Sequence, residues 1–468
     1  MDIIPATISD SDVTKAREII ERDFGHNLEI LKSLVRIPGI AWDAFDSAEL
    51  SKSAEAVRDL LIQTRSFESV DILTAEYGNG KVGAPAVVAT RSAKNCKPTV
   101  LLYAHHDVQP PGDMEVWQSK PFEPTEKDGR LYGRGAADDK AGIVAHLGSV
   151  KALTELAGED FDLGLVVFIE GEEEAGSPSF ANFLEKYQDR LRSDVIVVAD
   201  SGNWSTTVPA ITTTLRGLVS LEFEIQTLDH AVHSGMFGGA VPDAMLALIK
   251  LMDTMWDEKG NVTISDLKSS QNQDLEFLED QLRADSGLLP STLPLGEGPI
   301  LARLWNKPAL TLIGIDYPQV ALSSNTLMPR VKAKLSLRIA PGESPEGALE
   351  ALKSHILAHN SFNAQITFGE VELGKPFELS GQGWAKPLAE SALEHAYGEK
   401  SVDIGIGGSI PFIADLERVF PNAQVLVTGV EDPDSRAHSP NESLHLDSFR
   451  SAILAQTLFL LGGNQITL

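Results

Sequence analysis

The stretch Thr99–Asp107, TVLLYAHHD, is a short apolar run that ends in two histidines and an aspartate. Such a run, bounded by polar residues, reads as a strand buried on both faces. Three others resemble it: LGLVVFI (163–169), DVIVVA (194–199) and AQVLVTG (423–429). Helical patterns separate them. Residues 13–36 are amphipathic and end at RIPG, another helix covers about 48–63, and a third runs from Lys140 to Leu156. Buried strands alternating with helices specify an α/β fold, here a central mixed, mostly parallel sheet flanked by helices. In such sheets ligands bind beyond the carboxyl ends of the strands.

Those ends carry metal-ligand chemistry. The first strand leads into His105 and Asp107, the second into Glu173 and Glu174, and the third into Asp200. The fourth reaches His438 in SRAHSPNES. Along an extended chain residues i and i+2 share a face, so His105 and Asp107 point one way and His106 the other. A ligating histidine commonly has a carboxylate on its second nitrogen. In LYGRGAADDKAG (131–142) the glycines invite a phosphate reading, but there is no G-K-[ST] and two aspartates would repel an anion. Asp138 and Asp139 either cap the following helix or supply a metal carboxylate. FIEGEEEAGS (168–177) sets Glu170, Glu172, Glu173 and Glu174 close together, the last three between Gly171 and Gly176. A charge run is usually a solvated face. At the end of a buried strand, cations instead make it tolerable. Two imidazoles with several carboxylates suit a pair of divalent ions, Zn²⁺ or Mn²⁺. HILAH (355–359) pairs two histidines on one helix face without the glutamate of H-E-x-x-H, and reads as a solvent-facing pair.

Composition narrows the function. The 468-residue chain has room for more than one domain, and its formal net charge of −28 disfavours nucleic-acid or anionic-membrane partners. One cysteine, Cys96, excludes an internal disulfide framework and suits a reducing compartment. No apolar run is long enough to span a bilayer and the N-terminus lacks a secretory pattern, so a cytoplasmic location is expected. Residues 212–227 and 330–339 alternate like half-exposed strands, with a helix over 243–256 between them. Residues 212–377 therefore read as an inserted α/β domain, and 1–211 with 378–468 as a discontinuous metal-binding domain.

Taken in order, HHD with its flanking YA and VQP, GRGAADDKAG, EGEEEAGS, ADSGNW, HSGMFGG, GGSIP and AHSPNES give the chain a family likeness. It resembles the M20 metallopeptidases, and within them the branch of cytosolic nonspecific dipeptidase and carnosinase. The resemblance implies two divalent ions per subunit. His105 and Asp200 would hold one, Glu174 and His438 the other, with Asp138 bridging and followed by a cis peptide. Asp107 would support His105, and Glu173 would be the general base. The insert would be a lid through which a homodimer forms, with His233 reaching the partner's active site to steady the oxyanion. Arg338 would take the substrate's C-terminal carboxylate. Its placement has independent support, because alternation along VKAKLSLRIA turns it away from the lid core. Asn325 or Thr326, with Gly408 and Ser409, would contact the substrate backbone. One departure stands out: Gly405 and Ile406 replace an Arg-Glu pair that the family often shows before GGSIP. The implied reaction is hydrolysis of dipeptides bearing a free C-terminal carboxylate. An amidohydrolase acting on N-acyl amino acids is the alternative, and a non-catalytic scaffold would need a lost ligand or a lost Glu173.

Overall fold

In the computed structural model, residues 7–78, 80–271, 275–379, 383–408 and 411–468 are described. The chain divides into two compact units. The first comprises Met1–Thr213, Leu379–Ile404 and Phe412–Leu468. The second comprises Thr214–Glu378 and Gly405–Pro411, so a short C-terminal excursion goes with the insert.

The four apolar runs form the centre of the first unit's sheet. Strands Gly164–Glu170, Thr99–His105, Val195–Val198 and Gln424–Val427 lie side by side in that order, all parallel. The edges are antiparallel, which makes the sheet mixed: Ser69–Leu73 and Ala86–Arg91 on one side, Ala210–Leu215 on the other. Alternation sorts the side chains. Val100, Leu102 and Ala104 enter the core shared with helices Asp10–Val35, Lys140–Ala157 and Leu446–Gly463. Tyr103 packs with an aromatic group, its ring centroid 4.2 Å from Phe412 and 5.6 Å from Phe168. The first helix begins three residues before the expected start, because Ser9 caps it by accepting from the Asp12 amide at 3.2 Å.

The second unit is a four-stranded antiparallel sheet, ordered Ala309–Asp316, Arg330–Ile339, Gly217–Gln226, Gln365–Gly374. Val219, Leu221, Phe223 and Ile225 join Val331, Ala333, Leu335 and Leu337 in its core, with helices Ala244–Met252 and Pro345–Ala358. Three readings change. Residues 212–227 are two strands, broken at Arg216. The Arg216 amide donates to Ile406 O at 3.2 Å and its Nε to Gly407 O at 3.0 Å. Beside the break, a Cβ on Gly217 would meet Gly374 O at 2.6 Å. The helix expected to reach 256 stops at Met252. His355 is buried rather than solvent-facing: its Nε2 lies 3.0 Å from Thr254 Oγ1, and its ring stacks on exposed His359.

Lys140–Ala157 is buried along most of its length and carries His146 against the sheet. The His146 Nε2–H donates to Tyr103 O at 2.9 Å, and Nδ1 accepts from Gln456 Nε2 at 2.8 Å. Burial pulls this imidazole down to about 4 from the usual 6.5. As pH falls from 6.5 towards 4, the unfolded chain takes up a proton that the folded chain refuses, so this contribution to stability is lost. In urea unfolding, the stability difference between parent and His146→Gln should therefore shrink by about 3 kcal/mol from pH 7 to pH 4. A pH-independent difference would contradict this.

Candidate metal centre

His105 ends its strand fully buried, as is Asp107. The His105 Nδ1 lies 3.1 Å from Asp107 O and 3.3 Å from Asp107 Oδ1. Its Nε2 points the other way, 3.1 Å from Asp138 Oδ1 and 4.0 Å from Asp200 Oδ1. An imidazole held on one nitrogen by a carboxylate, with the other aimed at acidic groups, is the arrangement of a metal ligand. His106 turns away as alternation requires, donating to Pro85 O at 2.7 Å. Asp107 also accepts from the amides of Glu173 at 3.2 Å and Glu174 at 3.1 Å. One carboxylate thus orients the histidine and caps the glutamate turn.

That turn is a single 3-10 turn, Glu173–Ala175, closed by Gly176 at φ +84°. Gly171 serves a different need: a Cβ there would meet Pro85 O at 2.4 Å and His106 Nε2 at 2.8 Å. The four glutamates separate by environment. Glu170 is buried and accepts from Tyr103 Oη at 2.6 Å. Glu172 is buried and accepts from the amides of Ala84 and Ser179, each at 2.8 Å. Neither is the solvated carboxylate that a charge run suggests. Glu174 accepts from the Gln109 amide at 3.1 Å and from its Nε2 at 2.7 Å.

Asp138 lies on the loop before helix Lys140–Ala157, and the Asp138–Asp139 peptide is cis. Asp139 occupies the cap position but makes no side-chain cap bond; its Oδ2 accepts from the His105 amide at 3.2 Å. The Asp138 carboxylate spans two imidazoles, with Oδ2 3.1 Å from His438 Nε2. That nitrogen is 3.2 Å from Glu174 Oε2. His438, Arg436 and Asn441 all have left-handed backbones, at φ +63°, +56° and +64°, which is uncommon for non-glycine residues and gathers at functional loops. Two donor groups result, His105–Asp138–Glu174 and His105–Glu173–Asp200, each with ligand atoms within 4.8 Å of one another. His438 adjoins the first.

The electrostatics fit a cation site. Burial, with the repulsion of Asp200, pushes Glu173 well above the usual carboxyl range. Burial takes Asp200 up to about 7 and also raises Glu174. Burial would also raise Asp138, but the hydrogen bonds from His105 and His438 hold it below the usual range. Hydrogen bonds to Asp138 and Glu174 push His438 up to about 11. Burial opposes charge on His105, yet its bonds to Asp107 and Asp138 keep it protonated well above 6.5. Protons thus sit where divalent ions would.

In the second unit, strand Val232–His233 pairs with Thr326–Leu327, setting His233 opposite Thr326, and the Ser234 amide donates to Asn325 O at 2.9 Å. His233 is exposed, and its Nδ1 accepts from the Gly235 amide at 3.0 Å. The ring proton therefore sits on Nε2. Arg338 is half-buried on strand Arg330–Ile339, whose alternation is as expected. Lys332 pairs with Glu222, as does Lys334 at 3.5 Å. A Cβ on Gly405 would meet Thr214 Oγ1 and Trp305 Cγ, both at 2.7 Å. Thr214 and Trp305 thus leave no room for a side chain at this position. Gly408 is half-buried, and Ser409 lies outside the described residues.

The sequence profile of peptidase family M20/M25/M40 matches residues 101–461, a span that includes every residue of the cluster. The chain belongs to this family. The M20 chain is 33% identical to the cysteinylglycine-S-conjugate dipeptidase of Corynebacterium striatum, over 81% of this chain and 84% of the relative. Its fold is shared by the solved structure of the dipeptidase Dug1p from Saccharomyces cerevisiae, with TM-score 0.79 and 23% identity over 98% of this chain and 99% of that one. Human carnosine dipeptidase 1 has TM-score 0.79 and 24% identity, over 99% and 100% of the two chains. Among the described residues no helix is long and apolar enough to cross a membrane.

Cation binding to this cluster has to displace the imidazole protons. At pH 7, calorimetric titration with Mn²⁺ in buffers of different ionisation enthalpy should show release of protons from both imidazoles, His105 and His438, and a further release from the raised carboxyls of Asp200 and Glu173. Binding without proton release would contradict this assignment of protons.

Proposed function

We propose that this M20 peptidase is a two-metal dipeptidase, cytoplasmic and homodimeric, which cleaves dipeptides with a free C-terminal carboxylate. The decisive observation is the convergence of His105, Asp138, Glu173, Glu174 and Asp200 on one cluster, with exposed His438 closing it through contacts to Asp138 and Glu174. The names of its relatives supply the substrate class. His105 and Asp200 would hold one ion, Glu174 and His438 the other, and Asp138 both. The Asp138 contacts to both imidazoles support that sharing. Nitrogen and oxygen donors of this kind suit Zn²⁺ or Mn²⁺. When bound, the ions supply Lewis acidity towards the scissile carbonyl and lower the pKa of the attacking water.

The chain's own groups do the rest. Glu173 takes the proton of the attacking water and later returns it to the leaving amine. Its carboxyl, raised by burial and by Asp200, would be lowered again by cations held nearby, which frees it to accept a proton. Asp107 holds the Glu173 amide and the His105 ring, and so fixes base and ligand together. His233 of the partner subunit donates its Nε2–H to the developing oxyanion. Arg338 forks onto the terminal carboxylate. Asn325 or Thr326, with Gly408 and Ser409, would contact the substrate backbone; Thr326 lies opposite His233 on its strand pair and Asn325 directly precedes that strand. The second unit would be the lid and carry the dimer contact.

Glu173→Gln should cut kcat by about 10²–10⁴-fold while Mn²⁺ still binds. Full activity in that variant would overturn its role as base. Arg338→Ala should raise KM for free dipeptides and leave the already poor cleavage of amidated ones unchanged. A panel of dipeptides, tripeptides and N-acetyl amino acids tests the substrate class. Dipeptides should be strongly preferred, and preference for N-acetyl amino acids would favour the amidohydrolase reading.

A further inference from the structure

Glu442 is a buried carboxylate that the mechanism above does not use. It has no exposed surface and belongs to the segment that carries His438, four residues earlier. Its Oε2 accepts from Arg134 Nη1 at 2.6 Å and from the Gly135 amide at 3.1 Å. Its Oε1 accepts from the amides of Ala137 at 3.0 Å and Asp138 at 3.2 Å. Its own carbonyl accepts from the Gly133 amide at 3.0 Å. The next residue, Ser443, pairs with Tyr132 in a small antiparallel sheet. One side chain therefore fixes the loop 133–138 where it delivers Asp138, and is itself anchored where the His438 loop rejoins regular structure. The loop has little freedom to choose otherwise: Gly135 has φ +80°, and a Cβ there would meet Val108 Cγ1 at 2.6 Å.

We propose that Glu442 is a positioning residue for the metal centre: it sets the approach of Asp138 to His438, and so the affinity for the ion that these two would share. The proposal rests on the metal-centre reading. It acts through two ligands at once, since the amide it binds belongs to Asp138, whose Oδ2 lies 3.1 Å from His438 Nε2. A buried acceptor serving four donors is costly to replace, because each donor left behind loses its partner. Outer groups that orient metal ligands typically change affinity by about 10- to 100-fold when removed.

The test is Mn²⁺ titration of the full-length metal-free protein by calorimetry, for the parent, Glu442→Gln and Glu442→Asp. Leu458→Ala, in the core helix Leu446–Gly463, controls for lost stability, since Leu458 is fully buried and absent from the site. The parent should bind two Mn²⁺ per chain. Both Glu442 variants should bind one of the two about 10- to 100-fold more weakly, and Leu458→Ala should bind both as the parent does. If Glu442→Gln does not fold because Arg134 is left unpaired, Glu442→Asp and the Arg134→Met/Glu442→Gln double variant carry the same expectation. Parental affinity in the Glu442 variants would overturn the proposal. So would equal weakening in Leu458→Ala, which would make the effect one of stability. Parental affinity in Glu442→Asp alone would assign the effect to charge rather than position, and would also overturn it. A parent that binds no pair of ions fails earlier and overturns the metal-centre reading itself.

Discussion

Like-charge repulsion among crowded carboxylates governs how this fold is built around its site. Asp107, Asp138, Glu173, Glu174 and Asp200 crowd round two imidazoles at the carboxyl ends of strands with apolar interiors. Two unit charges about 4 Å apart interact with about 4 kcal/mol at an effective dielectric of 20. Several such pairs are comparable with the whole stability of a domain, about 5–15 kcal/mol. Burial first, and the neighbouring carboxylates second, move Glu173 and Asp200 up, while hydrogen bonds to Asp138 and Glu174 take His438 to about 11, so that protons relieve the repulsion without cations. Divalent ions relieve it better, because one ion answers several carboxylates at once.

The scaffold keeps the cluster together while it is under that repulsion. Parallel strands bring three ligand-bearing ends side by side, and their apolar faces are anchored in the helical core and the aromatic group around Tyr103. Backbone amides then hold the acidic side chains in direction. Asp107 takes two from the glutamate turn, Glu442 takes three from the Asp138 loop, and Glu174 receives one from Gln109. A carboxylate pinned by amides cannot swing out to water to escape its neighbours.

Much of this was legible in the sequence for physical reasons. The four central strands carry apolar residues on both faces through their middles, so neither face has to be chosen as the buried one. The i, i+2 spacing of His105 and Asp107 follows from the pleat. The ligands were legible because they stand directly after those strands. What stayed hidden depends on long-range contact. Glu442 reaches residues more than 300 positions away, and Gln109 meets Glu174 across 65. The one available signal for Glu442 was its place four residues after His438 in AHSPNES. Glu170 and Glu172 looked like part of a solvated run because charge density in a sequence does not reveal burial. The break at Arg216 leaves no mark in the sequence, because the alternation continues through it. The burial of His355 is equally silent, because Thr254, its partner, comes from the turn after another helix.

If the cluster holds two cations, anomalous diffraction from crystals of the Mn²⁺-loaded protein will show both. Two peaks about 3.5–4 Å apart, with Asp138 between them and His105 and His438 on opposite sides, are the predicted result. A single peak, or peaks away from these residues, would contradict the account.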